Sequence, residues 1–259
     1  MSKLIEKLEQ LAHPAPRRLG FAVSRDEAKA SPLLLVVRLE SDSSKLIKES
    51  QEPADAAILR VSNIDSKKSP IKDITSLKDG IPWGVQAEVV RMEEVEGLRQ
   101  AGCDYLVFGI KDTPGCVLNE ENIGKILSIE VSLEEQLMRV LEEMPTDAIF
   151  IEFQPEPSLT VKGLMTYRSV ISYVSKPVIA LVSLDLQDAE LTALQNVGVV
   201  GIVVEPHTPE DMKKVSKLRK AIESLPPREP GEKSTVSAIV PHPAPSPTLA
   251  DSMPDEEDA

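Results

Sequence analysis

Eight short apolar runs in this chain follow one template in two alternating forms. In one form, a Gly or Pro is followed seven positions on by the residue that ends the run: Pro53 to Arg60, Gly102 to Gly109, Pro145 to Glu152 and Gly198 to Glu205. In the other form the interval is six: Pro32 to Arg38, Pro82 to Glu88, Gly124 to Glu130 and Pro177 to Ser183. The forms alternate strictly, and the ends of the first set fall 49, 43 and 53 residues apart. Nearly continuous apolar runs of this length suit a parallel sheet covered by helices on both faces.

The intervening segments support helices where their signals are clear. Ser132 to Met144 opens with Ser132 and, three positions on, Glu135, the pattern of a capping box. The periodicity of the segment after Ser183 stops at Gly198, a helix C-terminus, and Thr208 followed by Pro209 opens the last helix. Residues 111 to 123 leave room for only a turn or two, so the fourth outer helix should be stunted, and residues 62 to 80 are weakly periodic. Eight such units within Pro32 to Leu225 form a single (β/α)8 barrel, the TIM barrel, somewhat shorter than the roughly 250 residues typical of the fold.

The flanks are different. Within residues 1–31, Ser2 to Ala12 reads as an amphipathic helix with Leu4, Ile5, Leu8 and Leu11 on one side. Arg18 to Val23 is an extra strand-like piece, expected to cap the bottom of the barrel. Residues 32–225 form the barrel. Residues 226–259 are rich in Pro and end in acids, so they are expected to be a disordered tail that keeps the protein soluble.

Composition excludes several roles. A net charge of -13 and 3% aromatic residues give neither the basic face nor the stacking platforms that nucleic-acid binding needs. No apolar run approaches the roughly 18 residues of a membrane span, and the first residues lack a secretory apolar region, so a cytoplasmic location without membrane attachment is expected. Cys103 and Cys116 make no disulfide framework, and Cys103, leading into a strand, reads as a buried structural thiol. No dinucleotide fingerprint, P-loop or zinc-type spacing occurs.

In a parallel barrel, the C-terminal ends of the strands meet at one mouth, where active sites lie. Side chains there form layers drawn from alternate strands, which groups Arg38, Glu88, Glu130 and Ser183 in one layer and Arg60, Gly109, Glu152 and Glu205 in another. Gly109 leaves a gap in its layer. Four Glu against two Arg is a surplus of negative charge, and in a confined site that surplus calls for a cation, a proton or nearby Lys111.

The resulting expectation is a lyase or isomerase using acid–base or divalent-metal-assisted chemistry on a small carboxylate-bearing metabolite. Lys111, Glu88 and Glu205 are the candidate catalytic groups, and Arg38, Arg60 and Ser183 the candidate substrate-binding ones. Glu130 and Glu152, on adjacent strands, would hold Mg²⁺ or Mn²⁺ through oxygen; no other cofactor is indicated. One carboxyl of the cluster should then titrate above its ordinary value.

The competing expectation is a non-catalytic, degenerate barrel serving as a binding or assembly module. In that case the strand-end charges are solvated or neutralise each other, Arg38 with Glu88 and Arg60 with Glu152. A homo-oligomer fits either reading. His207 reads as an exposed loop residue, and Lys162, Tyr167 and Arg168 as surface residues of the helix after strand six. The loops after strands seven and eight contain no Gly and several acids, which disfavours a phosphorylated substrate.

Overall fold

Alternation of inward and outward side chains along each strand organises the molecule. The computed structural model describes residues 2–14, 31–40, 53–61, 81–87, 90–111, 113–130, 134–153 and 158–228. Eight parallel strands close in sequence order into a barrel. They are β1 (Leu34–Glu40), β2 (Ala56–Val61), β3 (Trp83–Ala87), β4 (Tyr105–Gly109), β5 (Gly124–Glu130), β6 (Ala148–Glu152), β7 (Val178–Leu181) and β8 (Gly201–Val204). Every expected run contains a strand, and β8 pairs back onto β1.

Odd and even positions divide the core in two. Leu34, Val36, Ala56, Ile58, Tyr105, Val107, Ile126, Phe150, Ile179 and Val203 fill the barrel interior. Leu35, Val37, Leu59, Val85, Leu106, Phe108, Ile149, Ile151, Ala180 and Ile202 face outward beneath the helices. Both faces of the sheet are therefore dry, which is why the strands read as continuous apolar runs rather than as alternating ones. Tyr105 is fully buried in the interior, with its hydroxyl donating to the Ala57 carbonyl at 2.6 Å. Gly84 makes room for it: a Cβ there would lie 2.3 Å from the Tyr105 ring.

Among the described residues the helices are α1 (Lys3–Ala12), α2 (Met92–Gln100), α3 (Glu135–Val140), α4 (Val161–Tyr173), α5 (Asp188–Val197) and α6 (Pro209–Ser224). The segment between β4 and β5 is a single 3-10 turn, Gly115–Asn119, the stunted fourth position. Helix α3 starts at Glu135 with Glu134 as its cap, so the expected capping role of Ser132 is not seen; Ser132 lies outside the described residues. Helix α5 ends at Gly198, whose φ of 107° only glycine adopts without strain. Helix α6 opens on a Thr208–Asp211 capping box with Pro209 in its first turn.

At the bottom of the barrel, α1 is the plug. Leu4 and Leu8 are fully buried and Ile5 nearly so, all packed into the interior cluster; burial of each stabilises by about 1.5–3 kcal/mol. The expected cap, Arg18 to Val23, lies outside the described residues. The repeat itself supplies the anchor for α1. Asp55, Asp104 and Asp147 occupy the same place in three copies of the seven-interval form. Asp55 accepts from the Leu35 amide at 2.9 Å and Asp147 from the Lys125 amide at 2.7 Å, each clasping the preceding strand. Asp104 instead accepts from Ser2 Oγ and from the Lys3 and Leu4 amides, at 2.7, 2.8 and 3.0 Å. The acidic tail from residue 229 onward also falls outside the described residues.

Candidate active site at the barrel mouth

Strand register decides which polar residues meet at the mouth. Arg38 is level with Ile58, and Glu40 with Arg60, so Arg38 lies one inward position below Arg60. With a stagger of about one residue per strand, the pairings place Arg38, Gln86, Ser128 and Leu181 in one layer. Arg60, Gly109, Glu152 and Glu205 form the layer above it, as their spacing predicted. The grouping of Arg38 with Glu88, Glu130 and Ser183 is therefore corrected. Strand β1 runs two residues beyond Arg38, to Glu40, and an interval counted from a proline carries no information about register.

Arg38 is the hub. Its side chain is 3% exposed, and its Nε donates to Glu205 Oε1 at 2.7 Å. Its Nη1 donates to Glu152 Oε1 at 2.5 Å and to Gln86 Oε1 at 3.1 Å. Glu152 Oε2 accepts from Gln86 Nε2 at 2.9 Å and from Ser128 Oγ at 3.0 Å. The guanidinium also lies 5.6 Å from the centre of the Phe150 ring, within cation–π range. Desolvation opposes the charge on Arg38, but hydrogen bonds and the charges of Glu205 and Glu152 outweigh it and hold its pKa above the ordinary value. Burial alone would raise the Glu152 pKa; the Arg38 charge, with hydrogen bonds from Arg38, Ser128 and Gln86, brings it below the ordinary value. Glu152 is therefore not the carboxyl of the cluster that titrates above its ordinary value.

Of the expected ion pairs, Arg60 with Glu152 is not formed, and Arg38 with Glu88 falls outside the described residues. Arg38 pairs with Glu152 and Glu205, and Arg60 with Glu40 at 3.7 Å, where both side chains are about half exposed. Glu130, level with Glu152 on the next strand, is exposed, and so is Lys111, without the apolar burial that a nucleophilic lysine needs. Among the described residues no group of three or more His, Cys, Asp or Glu comes together to hold a metal ion. Glu88 lies outside the described residues. Ser183 is half-buried and lines a small cleft with Phe153, Leu159, Gly163, Tyr167 and Leu186. At Gly109 a Cβ would meet nothing within 4 Å, so the expected gap is there.

Other positions resolve simply. His207 is exposed in its loop. Tyr167, expected at the surface, is 3% exposed and donates to the Leu181 carbonyl. Cys103 is buried, and burial pushes its thiol up to about 12, as an inert structural cysteine requires. Sequence reasoning missed Gln86 and Ser128. Their signal was a polar residue at an inward position of an otherwise apolar strand, two residues before the expected end.

The fold defines the class: this chain is a (β/α)8 barrel with a charged network at the C-terminal ends of its strands. Among solved structures it is similar to a mutant tryptophan synthase α-subunit from Pyrococcus furiosus, with TM-score 0.59 and 12% identity over 73% of this chain and 96% of that one. Another mutant of that subunit gives TM-score 0.58, and the tryptophan synthase complex from the same organism 0.53, each at 12% identity and the same coverage. At that identity the likeness speaks for the fold alone. No protein-family model matches the chain, and no curated protein matches it in sequence. Among the described residues no helix is long and apolar enough to cross a membrane.

Proposed function

We propose that the barrel mouth is the acid–base site of a lyase or isomerase acting on a small carboxylate-bearing metabolite, with Glu205 as the group that moves the proton. One observation carries this reading. Glu205 is held through Oε1 by Arg38, its side chain is 23% exposed, and its Oε2 has no hydrogen-bond partner among the described residues. A carboxylate fixed by one oxygen and, among the described residues, open at the other is positioned to take a proton from a bound molecule and return it. Arg38 keeps it aimed. Glu152, with both oxygens engaged, serves to position Arg38. The exposed guanidinium of Arg60 supplies a cation for the metabolite's carboxylate, and Lys111 and Ser183 are rim residues within this proposal; the catalytic role expected of Glu88 falls outside the described residues.

In the metal-assisted version, Glu130 and Glu152 would donate oxygens to Mg²⁺ or Mn²⁺, and Glu152 would have to release Gln86 or Ser128. The closed network favours the version in which the protein's own groups move the proton. A second reading, a non-catalytic barrel that binds or assembles, draws on the same Arg38, which is already neutralised by the chain's own carboxylates.

A thermal-shift screen of small carboxylates, followed by proton NMR of each stabilising compound with the protein in D₂O, separates the readings. The enzyme reading predicts exchange or conversion of at least one compound, slowed about 10²–10⁴-fold in Glu205→Gln. Binding without exchange, or exchange that Glu205→Gln leaves untouched, rejects it.

A further inference from the structure

Val161, at 74% exposure, and Met165, at 69%, are the most exposed large apolar side chains among the described residues. They stand four positions apart on α4 and so share one face. That face points outward beside α5, since Arg168, next along the same face, donates to the Val197 carbonyl. The neighbouring outer surface of α5 is low: Ala189 and Asn196 are exposed, and Thr192 and Ala193 half-buried. A stripe of protruding apolar groups thus runs beside a stripe of small ones.

Charge divides the same way. Helix α4 carries Lys162 and Arg168 and no acid, while α5 carries Asp188 and Glu190 and no base. Glu190 is occupied by the Leu159 and Gln187 amides, which leaves exposed Asp188 as the other acid of the helix. A patch whose two halves differ in relief and in charge sign matches a copy of itself turned by a two-fold axis, as isologous dimers require.

We propose that this face binds a second copy of the chain, with α4 of each copy lying antiparallel across α5 of the other. Met165 then packs over the partner's Ala193, Val161 sits toward the partner's Asn196, and Arg168 meets the partner's Asp188. The face is about 20 Å long and two helices wide, the low end of specific interfaces, so the dimer is weak and dissociates at micromolar concentration. This inference stands apart from the chemistry of the mouth.

Sedimentation velocity on the full chain, from about 1 to 300 µM, tests it. The wild type should shift with concentration from 28.3 kDa toward twice that mass. Met165→Asp should stay monomeric, with an unchanged circular dichroism spectrum. Arg168→Glu and Asp188→Arg should each weaken association about tenfold, and the double charge swap in one chain should restore it, a recovery that misfolding cannot produce. A wild type that is monomeric throughout overturns the proposal. So does a dimer indifferent to Met165→Asp, or singly weakened variants that the swap fails to rescue.

Discussion

At the scale of residues, Arg38 carries the site. It is a buried cation held by two carboxylates, an amide and an aromatic face, and such an arrangement is costly to break from one side. Replacing Arg38 with Met leaves Glu152 and Glu205 in the mouth without their cation. The expected cost is about 3–5 kcal/mol in urea unfolding at neutral pH. The pH dependence follows from Glu152. Its folded pKa lies below its unfolded one, so its contribution is complete above the ordinary carboxylate value near ~4.3 and is lost as pH falls through the lower folded value. Arg38→Met should remove that part of the acid-side loss. Two glycines give a matched pair. At Gly84 a Cβ would lie 2.3 Å from the Tyr105 ring and 2.5 Å from its carbonyl oxygen, whereas at Gly109 it meets nothing within 4 Å. Gly84→Ala should therefore cost about 3 kcal/mol, and Gly109→Ala less than about 0.5, by differential denaturation.

At the scale of elements, the bottom plug offers the cleanest test. Asp104 receives three hydrogen bonds from the start of α1, so Asp104→Ala should cost about 1–2 kcal/mol. Amide hydrogen exchange should quicken over residues 3–12 while β4 stays protected; equal loss in both would mean that α1 does not open independently. Elements were legible in the sequence to differing degrees for physical reasons. Strands buried on both faces advertise themselves as apolar runs, and all eight emerge from spacing alone. Helix α6 shows its Thr-Pro start and α5 its glycine stop, whereas α3 is six residues long and its start was placed too early. The sequence shows α1 as amphipathic but not that it packs into the barrel interior, because an amphipathic helix does not say which surface it covers. Register was the deepest loss. Which inward residues share a layer depends on pairing between strands, so Arg38 was set one layer too high and its real partners Gln86 and Ser128 were passed over. The layer of Arg60, Gly109, Glu152 and Glu205 came out correctly because those four belong to one form of the repeat.

At the scale of the whole molecule, the Arg38 network joins β1, β3, β5, β6 and the end of β8, contacts spread over nearly the whole barrel sequence. With α1 filling the other end, residues 32–225 should unfold as one unit. Trp83 fluorescence and far-ultraviolet circular dichroism should give coincident urea transitions; two separated midpoints would indicate halves that fold independently. The central claim is that Arg38 holds Glu152 ionised at the mouth. Carbon-13 NMR titration of the Glu152 carboxyl, in the wild type and in Arg38→Met, measures that directly. The account predicts a wild-type midpoint below the ordinary carboxylate range and a clear rise in the variant, where burial acts without its opposing charge. A Glu152 midpoint at or above the ordinary value in the wild type, or one unchanged by removing Arg38, would contradict it.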